Sequence, residues 1–214
     1  FVAIVNHFKS KGSGEDDGTG QGNSNPSRVA QAQALNAWVS GNDDFADQPV
    51  LLLGDFNAYT MEDPLKTLED EGWTNVPKAV GADDASYQFS GRLGSLDHIF
   101  GNQQAMGLVT ATGGAKAAVW NINGDESVAY QYSRRNYNAT DFHEDNAFAS
   151  SDHDPVKVGL SWVDQPTLAP VTDDNKQFWG TGDLRIEYPI LNPDAVDIDR
   201  CEATTLPAGM TVSL

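Results

Sequence analysis

The sequence predicts an α+β fold, and three features carry that expectation. Val50-Leu51-Leu52-Leu53 is a short apolar run between Pro49 and Gly54, with the length and flanks of a buried strand. Residues 26–40 are rich in Ala, Gln and Leu, which favour a helix. Val156, Val158, Leu160 and Trp162 recur with the two-residue period of a strand.

The elements follow in chain order. Phe1 to Val5 reads as a first strand, running into the polar cluster Asn6-His7-Phe8-Lys9-Ser10-Lys11. Residues 12–25 are Gly, Asp, Glu, Asn and Ser, a loop composition. Asn25 is expected to cap the helix, with Pro26 at its first position and Gly41 ending it. Pro64 to Glu71 reads as a short helix stopped by Gly72, and Ser95 to Phe100 as a strand. A further strand is expected near Leu108–Ala111, and Val156 to Trp162 is the last of this region. The stretch 164–180 has the composition of a linker, and Asp183 to Ile190 that of another strand. The domain boundary is placed at 163: residues 1–163 carry the motifs below, and 164–214 form a linker and extension with no chemistry of their own.

Composition excludes several classes. The 214 residues include 20 Gly and 10 Pro, a globular chain rich in loops. No run approaches the roughly 20 apolar residues of a membrane helix, so no membrane insertion is expected in this segment. Cys201 is the only cysteine, so an intrachain disulfide and a cysteine zinc cluster are ruled out. With 13 basic against 31 acidic residues the net charge is −18. Such a surface repels nucleic acid at long range, yet admits a phosphate substrate where bound cations invert the local field. It also fits an extracellular setting, and no stable protein partner is expected.

Four clusters join apolar strands to hydrogen-bonding or metal-ligating side chains. They are Asn6-His7, Gly54-Asp55-Phe56-Asn57, Leu96-Asp97-His98-Ile99, and Ser150-Ser151-Asp152-His153-Asp154-Pro155. Two follow strands and two precede them. Strands of opposite direction would bring all four to one sheet edge.

These strings, in this order, resemble the endonuclease/exonuclease/phosphatase superfamily. The strings are His7-Phe8-Lys9-Ser10, Gly54-Asp55-Phe56-Asn57-Ala58, Leu96-Asp97-His98-Ile99 and Ser151-Asp152-His153-Asp154-Pro155-Val156. Trp120-Asn121-Ile122-Asn123-Gly124-Asp125-Glu126 is similar to a segment of its bacterial secreted, deoxyribonuclease I-like branch. The resemblance covers residues 1–163 and implies the C-terminal half of a four-layered α/β sandwich with mostly antiparallel sheets. The family's early Asn and its metal-binding Glu have no counterpart among these residues. The chain alone is therefore expected to be inactive and poorly stable.

The resemblance implies a metal-dependent hydrolase in which water attacks phosphorus in line. Asp152 would hold Mg²⁺ or Mn²⁺, hard cations that prefer oxygen ligands. Asp97 would orient His153, whose imidazole titrates near neutral pH and can move a proton. Asp55 would position or activate the water, and Asn57 would donate to a phosphate oxygen. An Asx turn is the structural alternative for that pair. His7 would contact the scissile phosphate or act as acid. His98 points to the opposite side of its strand from Asp97 and is read as structural.

Asn6, Lys9 and Arg28 are candidates for phosphate binding. Arg28 stands in a helix's first turn, where a cation opposes the dipole; a solvated arginine is its other reading. Glu15-Asp16-Asp17 could hold a structural Ca²⁺, without the ligand spacing of an EF-hand. Arg134-Arg135 reads as a solvated loop. The expected activity is cleavage of extracellular DNA, with RNA as a further substrate. The alternatives are a lipid phosphohydrolase of the same fold, such as one acting on sphingomyelin, and a non-catalytic binding module.

Overall fold

The computed structural model describes residues 1–82, 84–109, 116–130 and 142–162, and further along the backbone of four short strands. The chain divides into two compact units, Phe1–Ser161 and Trp162–Leu214. In the second, β9 (Thr167–Leu168) pairs antiparallel with β12 (Ile190–Leu191), and β10 (Lys176–Phe178) with β11 (Leu184–Ile186). Arg134, Arg135 and Cys201 lie outside the described residues.

The first unit is built on a four-stranded sheet in the order β1-β2-β6-β3. Its strands are β1 (Val2–His7), β2 (Val50–Asp55), β3 (Thr74–Asn75) and β6 (Asp97–Gly101). β1 runs parallel to β2, while β6 is antiparallel to both β2 and β3. The remaining strand pairs are antiparallel: β4 (Tyr87–Phe89) with β5 (Arg92–Gly94), and β7 (Ala117–Val119) with β8 (Val156–Val158). The architecture is α+β with mostly antiparallel sheets.

Alternation along β2 explains why it is apolar throughout. Val50 and Leu52 enter one core with Ala32 and Val39 of α1 (Asn25–Ser40), Leu65 and Leu68 of α2 (Asp63–Asp70), Phe56 and Phe100. Leu51 faces the other way, with Val76, Ile99, Ala105 and Ala117, against which Val156 and Val158 of β8 pack. Both faces of β2 are covered, so no polar alternation survives there.

Several elements differ from expectation. Helix α1 starts with Ser24, not Asn25, at the capping position, and Ser24 is left-handed with φ 59°. Its hydroxyl donates to Ser13 O instead of capping, so it fastens the loop. The third strand begins at Asp97, two residues later than expected. Residues 103–108 form helix α4, which takes in the first residue of the strand expected at 108–111; the Asn102 side chain accepts from Ala105 N and caps it. Only Val109 of that segment makes a bridge, to Leu160, and 110–111 lie outside the described residues. The last strand ends at Val158, although Ser161 N still donates to Leu108 O.

Arg28 is the largest correction. It is buried, not solvated. Its guanidinium donates to the carbonyls of Lys9, Asn23 and Gln21, tying the 9–23 loop to α1. Burial lowers its pKa, opposed by the charges of Glu62 and Asp17. The loop acids act locally: Asp16 accepts from Gly18 N, and Asp17 from Thr19 and Asn25. These bonds set the turns at 16–19.

Candidate active site

Strand direction assembles the site. β1 and β2 run the same way, and β6 returns, so the ends of the first two and the start of the third share an edge. His7 is the Cα partner of Asp55, and Asp55 of Asp97. By the two-residue period, Asp55 and Asp97 lie on the face of Leu51, Leu53 and Ile99, the face that β8 covers. His153 sits three residues before β8 and so arrives over them.

The central contact joins His153 Nδ1 to Asp97 Oδ2 at 2.7 Å. The Asp97 carboxylate also accepts from Ser86 Oγ at 2.8 Å, and Ser86 Oγ accepts in turn from the Leu96 and Asp97 amides. This fixes the carboxylate and directs Nε2 of His153 away from it. The Tyr87 ring lies against the imidazole, centroids 4.5 Å apart. Both His153 and Asp97 are partly buried.

Asp55 is held by its own loop. Its Oδ1 accepts from Asn57 N at 2.7 Å and its Oδ2 from Asn57 Nδ2 at 3.0 Å. This is an Asx turn, and Asn57 takes φ 47° within it. Asn57 is buried and its amide donates also to Phe8 O, so both of its N–H groups are engaged within the chain. Asn57 thereby holds Asp55 in this structure. His7 Nε2 lies 3.4 Å from Asp55 Oδ2 on a largely exposed side chain.

Gly54 makes this edge possible. Its φ is +129°, and a Cβ there would meet Asn6 O at 2.1 Å. His98 faces the helix side, buried, with Nε2 2.9 Å from Ala58 O and Nδ1 3.3 Å from Asn75 Nδ2. Its structural reading agrees with these contacts.

The other candidates are placed elsewhere or held differently. The Asn6 amide donates to Ile4 O on its own strand. Lys9 is exposed and its Nζ donates to Ser13 Oγ. Asp152 is partly buried and its charge is felt by His153.

Two positioning residues escaped the sequence reading. Ser86 is one. Asp154 is the other: its Oδ1 accepts from the amides of Ile122, Asn123 and Gly124, at 2.9, 2.7 and 3.0 Å. Asn123 Nδ2 then donates to His153 O. The Trp120–Glu126 stretch is thereby fastened to the loop that carries His153. Its similarity to a family segment was a signal; which acid would anchor it was not.

Asp55, Asp97 and His153 each offer a ligand atom within 4.8 Å of the others and could hold a metal ion. Two carboxylates suit a hard cation. The donor set differs from the expected one, since Asp152 is not in it.

The electrostatics favour protons. Desolvation opposes charge on His153, but the hydrogen bond and charge of Asp97, helped by Asp55 and Asp152, raise its pKa. Burial raises that of Asp55, and Asp97 adds to it, against the Asn57 amide. Both groups hold protons more tightly folded than unfolded. Their stabilisation is full at low pH and is lost as pH rises through the folded pKa. For His153 the loss begins above about pH 6.5. Thermal unfolding should show wild-type stability falling above that pH. Asp97→Asn should flatten this limb; an unchanged limb would contradict the pairing.

No family model matches the chain, and no curated protein matches it. Among solved structures it is similar to a functionally unknown conserved protein from Enterococcus faecalis V583, at 16% identity and TM-score 0.43, covering 74% of this chain and 49% of that one. It is also similar to beta toxin 275-280 from Staphylococcus aureus, at 15% identity and TM-score 0.39, covering 74% and 52%. The chain thus spans about half the length of each. Likenesses this distant add nothing to the reading of the site.

Proposed function

We propose that the protein is a metal-dependent phosphodiesterase of the endonuclease/exonuclease/phosphatase superfamily, a secreted nuclease acting on DNA. The observation that carries this is the His153–Asp97 pair at 2.7 Å beside Asp55, at one sheet edge. Sequence motifs far apart in the chain meet there.

In this reading Asp97 fixes the tautomer of His153 through Nδ1, leaving Nε2 to hold or move a proton at the phosphate. Asp55, set by Asn57, orients the attacking water. His7, exposed beside Asp55, meets a phosphate oxygen. A divalent cation such as Mg²⁺ or Mn²⁺, held at this group by the Asp55 and Asp97 carboxylates, would offset negative charge on the phosphate oxygens.

The test is cleavage of plasmid DNA and of bis(4-nitrophenyl) phosphate by the full-length protein, in Mg²⁺ or Mn²⁺ and in EDTA. Hydrolysis should need the cation and vanish in EDTA. Undiminished cleavage in EDTA would refute the metal-dependent reading.

A further inference from the structure

The β4–β5 hairpin has a face that the catalytic pair leaves unused. Residues directly opposite in an antiparallel pair share a face. Tyr87 lies opposite Gly94, and Phe89 opposite Arg92. These four residues therefore line one side, while Gln88 and Leu93 line the other. Gly94 leaves room there for the Tyr59 ring, which a Cβ would meet at 2.6 Å.

This face is tied to the site. Tyr87 bridges His153 through the backbone, and its ring lies against the imidazole. Phe89 continues the row, tilted only 12° from Tyr87 with centroids 6.4 Å apart. Three rings thus run outward from His153, and the last is 62% exposed. One exposed phenylalanine means little. Here it stacks on the ring that lies against His153 and shares its face with Arg92, an exposed cation on a chain of net charge −18.

Rings beside a cation, in line with a group that acts on phosphate, suit an unpaired strand. Bases stack on the rings and the cation meets the backbone. A duplex hides its base faces and cannot use the rings in this way. We propose that this hairpin face binds single-stranded nucleic acid next to the scissile phosphate, with a base on Phe89 and a phosphate at Arg92. The proposal rests on the phosphodiesterase reading above and adds the substrate's strand state.

The test is fluorescence anisotropy of the full-length protein in EDTA, with labelled oligo(dT), the same length of duplex, and an abasic strand of equal charge. Oligo(dT) should bind more tightly than duplex or abasic strand. Phe89→Leu should weaken oligo(dT) binding about ten- to a hundredfold, the range for loss of one stacked base. Phe89→Trp should keep it, which separates stacking from apolar bulk and from misfolding. Arg92→Gln should weaken all three strands and lower the salt dependence. Equal affinity of wild type for oligo(dT) and abasic strand, or no loss in Phe89→Leu, would overturn the proposal. So would a Phe89→Leu effect confined to binding of phosphatidylcholine vesicles. If the wild type cleaves DNA in these cases, the phosphodiesterase reading stands alone. A wild type that cleaves no phosphodiester removes the reading beneath the proposal.

Discussion

Replacing His153 by alanine should lower turnover of a phosphodiester by about 10²–10⁴-fold, the range for a positioned acid–base group. His153 is held at three points. Asp97 takes Nδ1, the Tyr87 ring covers one face, and Asn123 holds the backbone carbonyl. A side chain fixed this firmly delivers Nε2 to one place. Asp97→Asn should also cost turnover, because an amide can present either a donor or an acceptor to Nδ1 and no longer fixes the tautomer. It should move the limb of the pH–rate profile to lower pH as well, since the carboxylate that raises the His153 pKa is gone. Steady-state kinetics across pH, on the cation-loaded full-length protein, check both. Near-normal turnover in His153→Ala would remove His153 from the chemistry.

Asp154→Ala should be the most destabilising change in this region. Ile122 N–H also reaches Trp120 O, but the amides of Asn123 and Gly124 would be left without their acceptor. A buried donor left unsatisfied costs about 1–3 kcal/mol, so the loss should be about 2–6 kcal/mol. Asp154→Asn keeps one oxygen in place and should cost much less. Denaturant unfolding of the two variants measures the difference. Equal stability of both with wild type would mean that the 122–124 loop needs no anchor.

The site was more legible in the sequence than the framework around it. Asp55, Asp97 and His153 were readable because each belongs to a short string at a strand end. Strand ends are where polar side chains gather when the strand itself is apolar. Arg28 was misread because a charged residue on a helix is normally solvated. What buries it is a set of loop carbonyls at 9, 21 and 23, and loop paths leave no periodic mark. Asn57 was read for its amide, but its left-handed turn commits that amide to Asp55 and Phe8. Ser86 had no signal of its own, and Asp154 stood in a motif that did not tell its role. A serine and an aspartate in polar loops look alike whether they face water or a backbone. Helix α4 went unread because its six residues are too few to show a helical period.

The register of β2 against β6 sets Asp55 directly opposite Asp97. Two carboxylates at facing positions weaken a sheet, and here the charge of Asp97 opposes the ionisation of Asp55. Further along this pair apolar residues face each other, Leu52 with Phe100 and Leu53 with Ile99. The strand pair is thus locally frustrated at one rung, its last. A chain selected for stability alone would place an opposite charge or an apolar residue there. Conflict confined to a single rung, in a ladder otherwise consistent at every level, is what selection for something other than folding leaves behind.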